Sequence, residues 1–285
     1  MPGSLYVVAT PIGNLEDITL RAVRVLGEVA VIACEDTRQT GKLLQHFGIR
    51  TPTISYHDHN EAERSAELVE RMLQGESVAL VSDAGTPLIS DPGYRLVRAA
   101  LAAAITVVPL PGASAALGAL AASGLATDAF RFCGFLPPKS GQRRKALQEA
   151  CDKEASGPDG HHGEATLIFY EAPHRILDAL EDIEAVCGIR PVVIARELTK
   201  LHEEFLRGTA AEIRAILAAR PSIKGEFTLL IGKGEGLASH VDLSIPVLDA
   251  VQALEKNGVP RMDAIKQVAR ERGLSKRDVY KDVTG

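Results

Sequence analysis

The chain has 285 residues, enough for roughly two domains at about 150 residues each. Apolar residues make up 46% and charged residues 24%, a globular balance that excludes a disordered or low-complexity protein. With 32 Lys and Arg against 37 Asp and Glu the formal charge is −5, so any nucleic-acid affinity has to come from local basic patches.

Reading from the N-terminus, Met1-Pro2-Gly3-Ser4 runs straight into strand-like Leu5-Tyr6-Val7-Val8 with no basic segment before an apolar one, so no signal peptide is expected. Through the first half, short β-branched runs alternate with longer amphipathic ones. Leu5–Thr10, Val29–Cys34, Thr53–Tyr56, Ser77–Val81 and Ile105–Pro109 read as buried strands. Stretches starting at Leu20, Gly41, Glu61, Tyr94 and Ala115 read as helices, with Asn60 placed to cap the third. This alternation predicts a mostly parallel sheet covered on both faces. No charge falls between Arg98 and Asp128, a length able to cross a bilayer. Pro109-Leu110-Pro111-Gly112 interrupts it, so a buried helix–strand–turn–helix is expected in place of a membrane span.

After the strand-like Phe130–Leu136, Pro137-Pro138-Lys139-Ser140-Gly141 changes the character of the chain, and a domain boundary is placed near Leu136. Strands are expected at Ala165–Tyr170, Pro191–Arg196, Glu203–Gly208 and Phe227–Ile231, and helices at His174–Val186 and Ala210–Ala219. From Ile245 the pattern is purely helical. The domains are thus 1–136, 137–240 and a helical tail, 241–285. The four cysteines, Cys34, Cys133, Cys151 and Cys187, show no metal-ligand spacing, and a chain this long needs no disulfide staples, so a cytoplasmic location is expected.

Phosphate-binding signatures are absent: Gly41-Lys42 lacks the upstream glycine of a P-loop, and Gly232-Lys233-Gly234-Glu235-Gly236 misses dinucleotide spacing and reads as a surface turn. What stands out is three small-residue loops, each directly after a predicted strand: Ala9–Asn14, Ser82–Gly93 and Pro111–Ala115. In open α/β sheets ligands lie outside the carboxyl ends of strands, where such loops meet and expose backbone N–H and C=O groups. No fixed cation accompanies them, so the ligand is not expected to be a polyphosphate.

These loops resemble those of the tetrapyrrole-methylase superfamily of S-adenosylmethionine (SAM)-dependent methyltransferases, and within it the ribosomal RNA small subunit methyltransferase I group. The resemblance is carried by ATPIGNLEDIT at Ala9–Thr19, CEDTR at Cys34–Arg38, SDAGTPLISDPG at Ser82–Gly93 and PGASA at Pro111–Ala115. YEAPHR at Tyr170–Arg175, ARELTK at Ala195–Lys200 and KGEF at Lys224–Phe227 extend it, as does the tail with Ser275–Tyr280. It implies two α/β domains with a SAM cleft between them, a helical tail and a homodimer. The implied reaction is methyl transfer to the ribose 2′-hydroxyl of a decoding-region cytidine in 16S rRNA. The glycine-rich first loop general in the superfamily is replaced by Thr10-Pro11-Ile12-Gly13, which argues against a tetrapyrrole substrate. A tetrapyrrole or protein acceptor, or a non-catalytic RNA-binding assembly factor, are the competing readings.

By resemblance, the cofactor residues are Pro11, Ile12, Gly13, Asp83, Gly85, Thr86, Pro87, Ile89, Ser114 and Ala115, with Tyr170 and Phe227 from the second domain. Asp36 is the candidate general base, or else the cap of the following helix; Lys200 is the candidate for polarising the hydroxyl. RNA contacts are placed on Lys139, Arg143, Arg144 and Lys145, and on Arg175, which pairs with Glu171 in the alternative reading. The tail adds Arg261, Lys266, Arg270, Arg272, Lys276, Arg277 and Lys281 among interleaved acids. His57-Asp58-His59 lacks an identifiable third ligand and His161-His162 sits in a polar loop, so no metal is expected.

Overall fold

The computed structural model describes residues 1–152, 165–233, 246–256, 260–272 and 274–284. The chain divides into a large unit, Met1–Gly234, and a small one, Glu235–Gly285.

The large unit holds two five-stranded sheets. The first comprises β1 (Ser4–Val8), β2 (Val31–Cys34), β3 (Thr53–Ser55), β4 (Val78–Val81) and β5 (Thr106–Leu110), all parallel, in the order β3-β2-β4-β1-β5. Its strands read as unbroken apolar runs because both faces are covered. Val78 and Leu80 face α3 (Glu61–Leu73) and α4 (Tyr94–Ala102) through Leu68, Met72, Leu96 and Ala100. Ala79 and Val81 face α1 (Leu20–Glu28) and α2 (Thr37–His46) through Ala22, Val25, Leu26 and Leu44. Thr19 caps α1 by accepting the Ala22 N–H. Asn60 does not cap α3: its side chain accepts the His57 N–H and donates to the Ser55 carbonyl, closing the turn after β3 instead.

The second sheet comprises β6 (Phe130–Phe135), β7 (Thr166–Glu171), β8 (Val192–Arg196), β9 (Glu204–Gly208) and β10 (Phe227–Ile231), in the order β6-β7-β10-β8-β9. Only β6 and β7 run parallel; the other pairs are antiparallel, so this sheet is mixed. Three helices, α6 (Ser140–Asp152), α7 (Ile176–Cys187) and α8 (Ala210–Ala218), cover one face through Leu147, Leu180 and Ile213. The other face receives α5 (Ala115–Ser123), whose Ala116, Ala119 and Leu120 pack on Ile168, Val193 and Leu230.

That packing corrects the boundary expected near Leu136. Both α5 and β6 belong to the second lobe, so the chain changes sheets just after β5. The Pro-rich stretch at Pro137-Pro138 only introduces α6. The uncharged run from Arg98 to Asp128 is divided among α4, β5 and α5, and among the described residues no helix is long and apolar enough to cross a membrane.

The small unit holds α9 (Val247–Lys256), α10 (Arg261–Arg272) and α11 (Lys276–Thr284) around Val251, Ile265, Val268 and Val279. The boundary expected at 240/241, the His161-His162 loop and the turn residues 234–236 lie outside the described residues.

Candidate functional site

Strand order determines where the site forms. Because β1 lies between β4 and β5, the loops leaving the carboxyl ends of all three emerge side by side. They are tied together. Thr10 and Gly85 exchange backbone hydrogen bonds of 2.8 and 3.0 Å, and the Thr10 hydroxyl donates to the Ser82 carbonyl at 3.1 Å. The Thr86 hydroxyl donates to the Ala113 carbonyl at 3.2 Å, joining the second loop to the third. Gly85 has φ +83°, a left-handed turn that glycine permits, and it sits within ordinary contact of Ile12.

These loops form one wall of a cavity of about 290 Å3, close to the lower end of the roughly 300–1,000 Å3 usual for small-molecule sites. The other wall comes from the second lobe: Phe135, Tyr170, Glu171, Ala195, Leu198, Glu226, Phe227 and Thr228. Four of the five non-glycine residues with positive φ among those described, Leu88, Ser90, Glu197 and Thr199, fall in the two loops flanking it. Such strain persists where surrounding structure overrides it, and it gathers at functional sites.

Among the described residues, the lining carries four carboxylates, Asp83, Asp91, Glu171 and Glu226, and no basic residue. Asp83 accepts the Asp36 N–H at 3.1 Å, and Glu226 accepts from Lys200 Nζ at 3.0 Å. Glu171 is 2% exposed; its Oε1 accepts from Ala172 N–H and Arg175 Nε, both at 2.7 Å, while its buried Oε2 has no partner. Burial pushes the Asp91 carboxyl up to about 6, with the charges of Glu35 and Asp83 adding to the effect and a Ser82 hydrogen bond opposing it. The Tyr170 phenol is also pushed up, by burial first and by the Asp91 charge last, and its ring packs edge-on against Phe132 and Phe135. With Glu171 and Glu226 paired to Arg175 and Lys200, and with Asp83 and Asp91 paired to no cation among the described residues, the cavity suits a ligand that brings positive charge and hydrogen-bond donors. It does not suit a polyphosphate.

Of the cofactor residues expected from sequence, Ile12, Asp83, Gly85, Thr86, Ile89, Ser114, Ala115, Tyr170 and Phe227 all line this cavity. Pro11 and Gly13 line an adjoining one of about 310 Å3, which shares Ile12, Asp83 and Ala84 with the first. Pro87 lines neither, being buried within the turn that Ile89 N–H closes on the Thr86 carbonyl. Asp91, Glu171 and Glu226 are not singled out by sequence, although each stands within a motif that carries the resemblance. Adjacency was the available signal for two of them: Glu171 directly follows Tyr170, and Glu226 directly precedes Phe227.

Residues 4–214 match the family described as Tetrapyrrole (Corrin/Porphyrin) Methylases. The chain belongs to this family. It is 51% identical over 283 residues to a protein of Halalkalibacterium halodurans named Ribosomal RNA small subunit methyltransferase I, covering 98% of this chain and 93% of that one. A Haemophilus influenzae protein of the same name is 47% identical over 284 residues, covering 98% and 96%. The chain belongs with these relatives and is a methyltransferase. A uroporphyrin-III-C-methyltransferase structure from Thermus thermophilus shares the fold at TM-score 0.54 and 22% identity, over 81% of this chain and 95% of that one.

Three expectations for this methylase change once side chains are placed. Asp36 is the N-cap of α2: its Oδ1 accepts the Arg38 N–H at 2.8 Å, and both its oxygens take the Arg38 guanidinium. Those hydrogen bonds hold its carboxyl down at about 2, so it is a poor proton acceptor and lines neither cavity. Lys200 is clamped between Glu197 and Glu226, both at 3.0 Å; burial acts to lower its pKa, but the two carboxylates outweigh it and keep the cation. Its stem lies over Gly13, where a Cβ would come within 2.4 Å of Lys200 Cγ, so Lys200 joins the two lobes beside the cavity.

The basic run divides. Arg143 is 2% exposed and is held by Asp182 at 2.7 Å and by the Pro138 carbonyl, which leaves no surface for phosphate. Exposed Arg144 bonds the same carboxylate at 2.5 Å. Arg175 pairs with Glu171, the alternative left open by sequence. Lys139 and Lys145 remain exposed, with Lys145 lying 3.9 Å from Glu149. Among the described residues, no group of three His, Cys, Asp or Glu is arranged to hold a metal.

Proposed function

We propose that the protein uses SAM to methylate a ribose 2′-hydroxyl of a cytidine in the decoding region of 16S rRNA, presented in the rRNA or the small ribosomal subunit. The observation that carries this reading is the cation-free, carboxylate-lined cavity where three strand-end loops meet the second lobe. SAM fits the donor set: it is a sulfonium with an ammonium group, and its adenosine hydroxyls and amines need acceptors such as the unpartnered Glu171 Oε2. When bound, it supplies an electrophilic methyl group.

The chain's own residues then have distinct work. Gly85, Thr86, Ser114 and Ala115 offer backbone and hydroxyl groups at short range, while Tyr170 and Phe227 supply apolar surface from the second lobe. Lys200 holds Glu226 in place through their 3.0 Å ion pair. Holding donor and acceptor in line is worth on the order of 7–11 kcal/mol in well-oriented reactions. The adjoining cavity, with Gln39 and Lys42 on its rim, opens beside the cofactor wall and is the place for the acceptor nucleotide. Lys139, Lys145 and the exposed tail cations Lys276, Arg277 and Lys281 supply phosphate contacts, and the active form is a cytoplasmic homodimer. The names of the relatives support the rRNA substrate.

Incubating the protein with methyl-tritiated SAM and 30S subunits or 16S rRNA, followed by mapping of ribose methylation, tests this. One protected ribose at a cytidine of the decoding region is expected. Transfer to a corrinoid precursor and not to rRNA overturns it.

A further inference from the structure

Resting on the reading above, we propose that the Asp83 carboxylate takes the proton of the substrate hydroxyl during methyl transfer. The methyl donor and the acceptor nucleotide can meet only where their two cavities adjoin, because reacting atoms have to approach to about 3–3.5 Å. Among the described residues, Ile12, Asp83 and Ala84 line both cavities. Ile12 and Ala84 carry no polar side-chain atom, so Asp83 is the member of this set whose side chain can accept a proton. It is also the one carboxylate among the described residues that lines the acceptor cavity. Asp91, Glu171 and Glu226 line the cofactor cavity and not the acceptor one.

The carboxylate is both held and available. Its Oδ1 accepts the Asp36 N–H at 3.1 Å, a bond that ties the loop after β4 to the loop after β2. Asp36 is itself fixed as the cap of α2 and by the Arg38 guanidinium, so its backbone N–H gives Asp83 a firm support. Among the described residues no cation pairs with Asp83, and its second oxygen is left to accept from substrate. Lys42 lines the same acceptor cavity, so a nucleotide seated there finds a cation for its phosphate as well as an acceptor for its hydroxyl. In the step, the ribose O–H bond breaks and its proton passes to an Asp83 oxygen. The ribose oxygen forms the new O–CH3 bond, and the electron pair of the broken S–CH3 bond stays on sulfur as a neutral thioether. Asp83 is exposed, so the proton then leaves to water and the carboxylate is restored for the next turnover.

Asp83→Asn keeps the side-chain volume and an oxygen for the Asp36 N–H but removes the proton acceptor. It should lower the single-turnover rate on 30S subunits by about 10²–10⁴-fold. Its affinities for S-adenosylhomocysteine by calorimetry and for 30S subunits by filter binding should stay within about threefold of wild type, the pattern of an interaction made only in the transition state. Its melting temperature should match that of wild type. Asp83→Ala opens space where the carboxylate stood, so added formate, a small carboxylate, should restore part of its rate while leaving the wild-type rate unchanged.

A loss of rate under about tenfold in Asp83→Asn overturns the assignment. If Asp83→Asn melts lower or loses affinity for either ligand, formate decides: stimulation of Asp83→Ala but not of wild type sustains the assignment, and no stimulation overturns it. Wild type that binds S-adenosylhomocysteine yet transfers nothing to 30S subunits or rRNA overturns the functional reading, and the assignment with it.

Discussion

Two conspicuous parts of the sequence, the small-residue loops and the Arg143-Arg144-Lys145 run, fare oppositely in the structure. The loops consist of residues with little chemistry of their own, yet the strand order brings them to one edge, where backbone bonds lock Thr10 to Gly85 and the Thr86 hydroxyl holds Ala113. The basic run looks like a phosphate-binding strip, yet its first member is buried against Asp182, a partner 39 residues away. A loop's place after a parallel strand is a topological fact, and sequence reports it. The direction in which an arginine points depends on which acid folds beside it, and sequence does not report that.

The comparison can be broken at either end. The largest expected effect is on the loop side: Thr86→Arg should fill the cavity and lose the Ala113 bond, abolishing calorimetric binding of S-adenosylhomocysteine. Undiminished binding would show that the loops do not form the cofactor wall. On the basic side, burial alone would raise the Asp182 carboxyl, but bonds from Arg144, Ser140 and Arg143 outweigh it and hold it below the usual range. Asp182→Ala should therefore strand Arg143 as a buried, uncompensated charge and lower stability by about 3–5 kcal/mol in urea melts. A drop in stability under about 1 kcal/mol, the value of an exposed pair, would mean that the run is solvated after all.

Gly85→Ala sharpens the loop side on a smaller scale. The left-handed backbone costs a non-glycine residue about 1–2 kcal/mol, a strain borne by the cavity wall, so cofactor affinity should fall roughly tenfold. The smallest effect belongs to the two exposed lysines. Lys139→Glu with Lys145→Glu should weaken rRNA binding a few-fold and reduce the salt slope by about 2, one for each phosphate that is no longer neutralised. Arg143→Glu should instead unfold the α6–α7 junction, a contrast that separates binding charge from structural charge.

Much of the fold is legible because fully buried parallel strands leave continuous apolar runs, as at Val31–Cys34 and Val78–Val81. The mixed second sheet is not, since nothing local to Phe227–Ile231 specifies that it inserts between β7 and β8. The lobe boundary is hidden for a related reason. The proline pair at Pro137-Pro138 announces a loop, whereas the change of sheet after β5 depends on α5 finding Ile168 and Leu230. In the site, the loop residues are readable from their motifs. The surroundings of Asp36 and Lys200 are not, because they depend on the fold: an arginine two positions on bonds Asp36, and two glutamates clamp Lys200.

The most direct measurement is a crystal structure of the protein with S-adenosylhomocysteine bound. The account predicts the adenosyl group between the lobes, in contact with Gly85 and Thr86 on one side and with Tyr170 and Phe227 on the other, and with a donor group on Glu171 Oε2. An adenosyl group seated outside that cavity, with Glu171 left as it is, would contradict it.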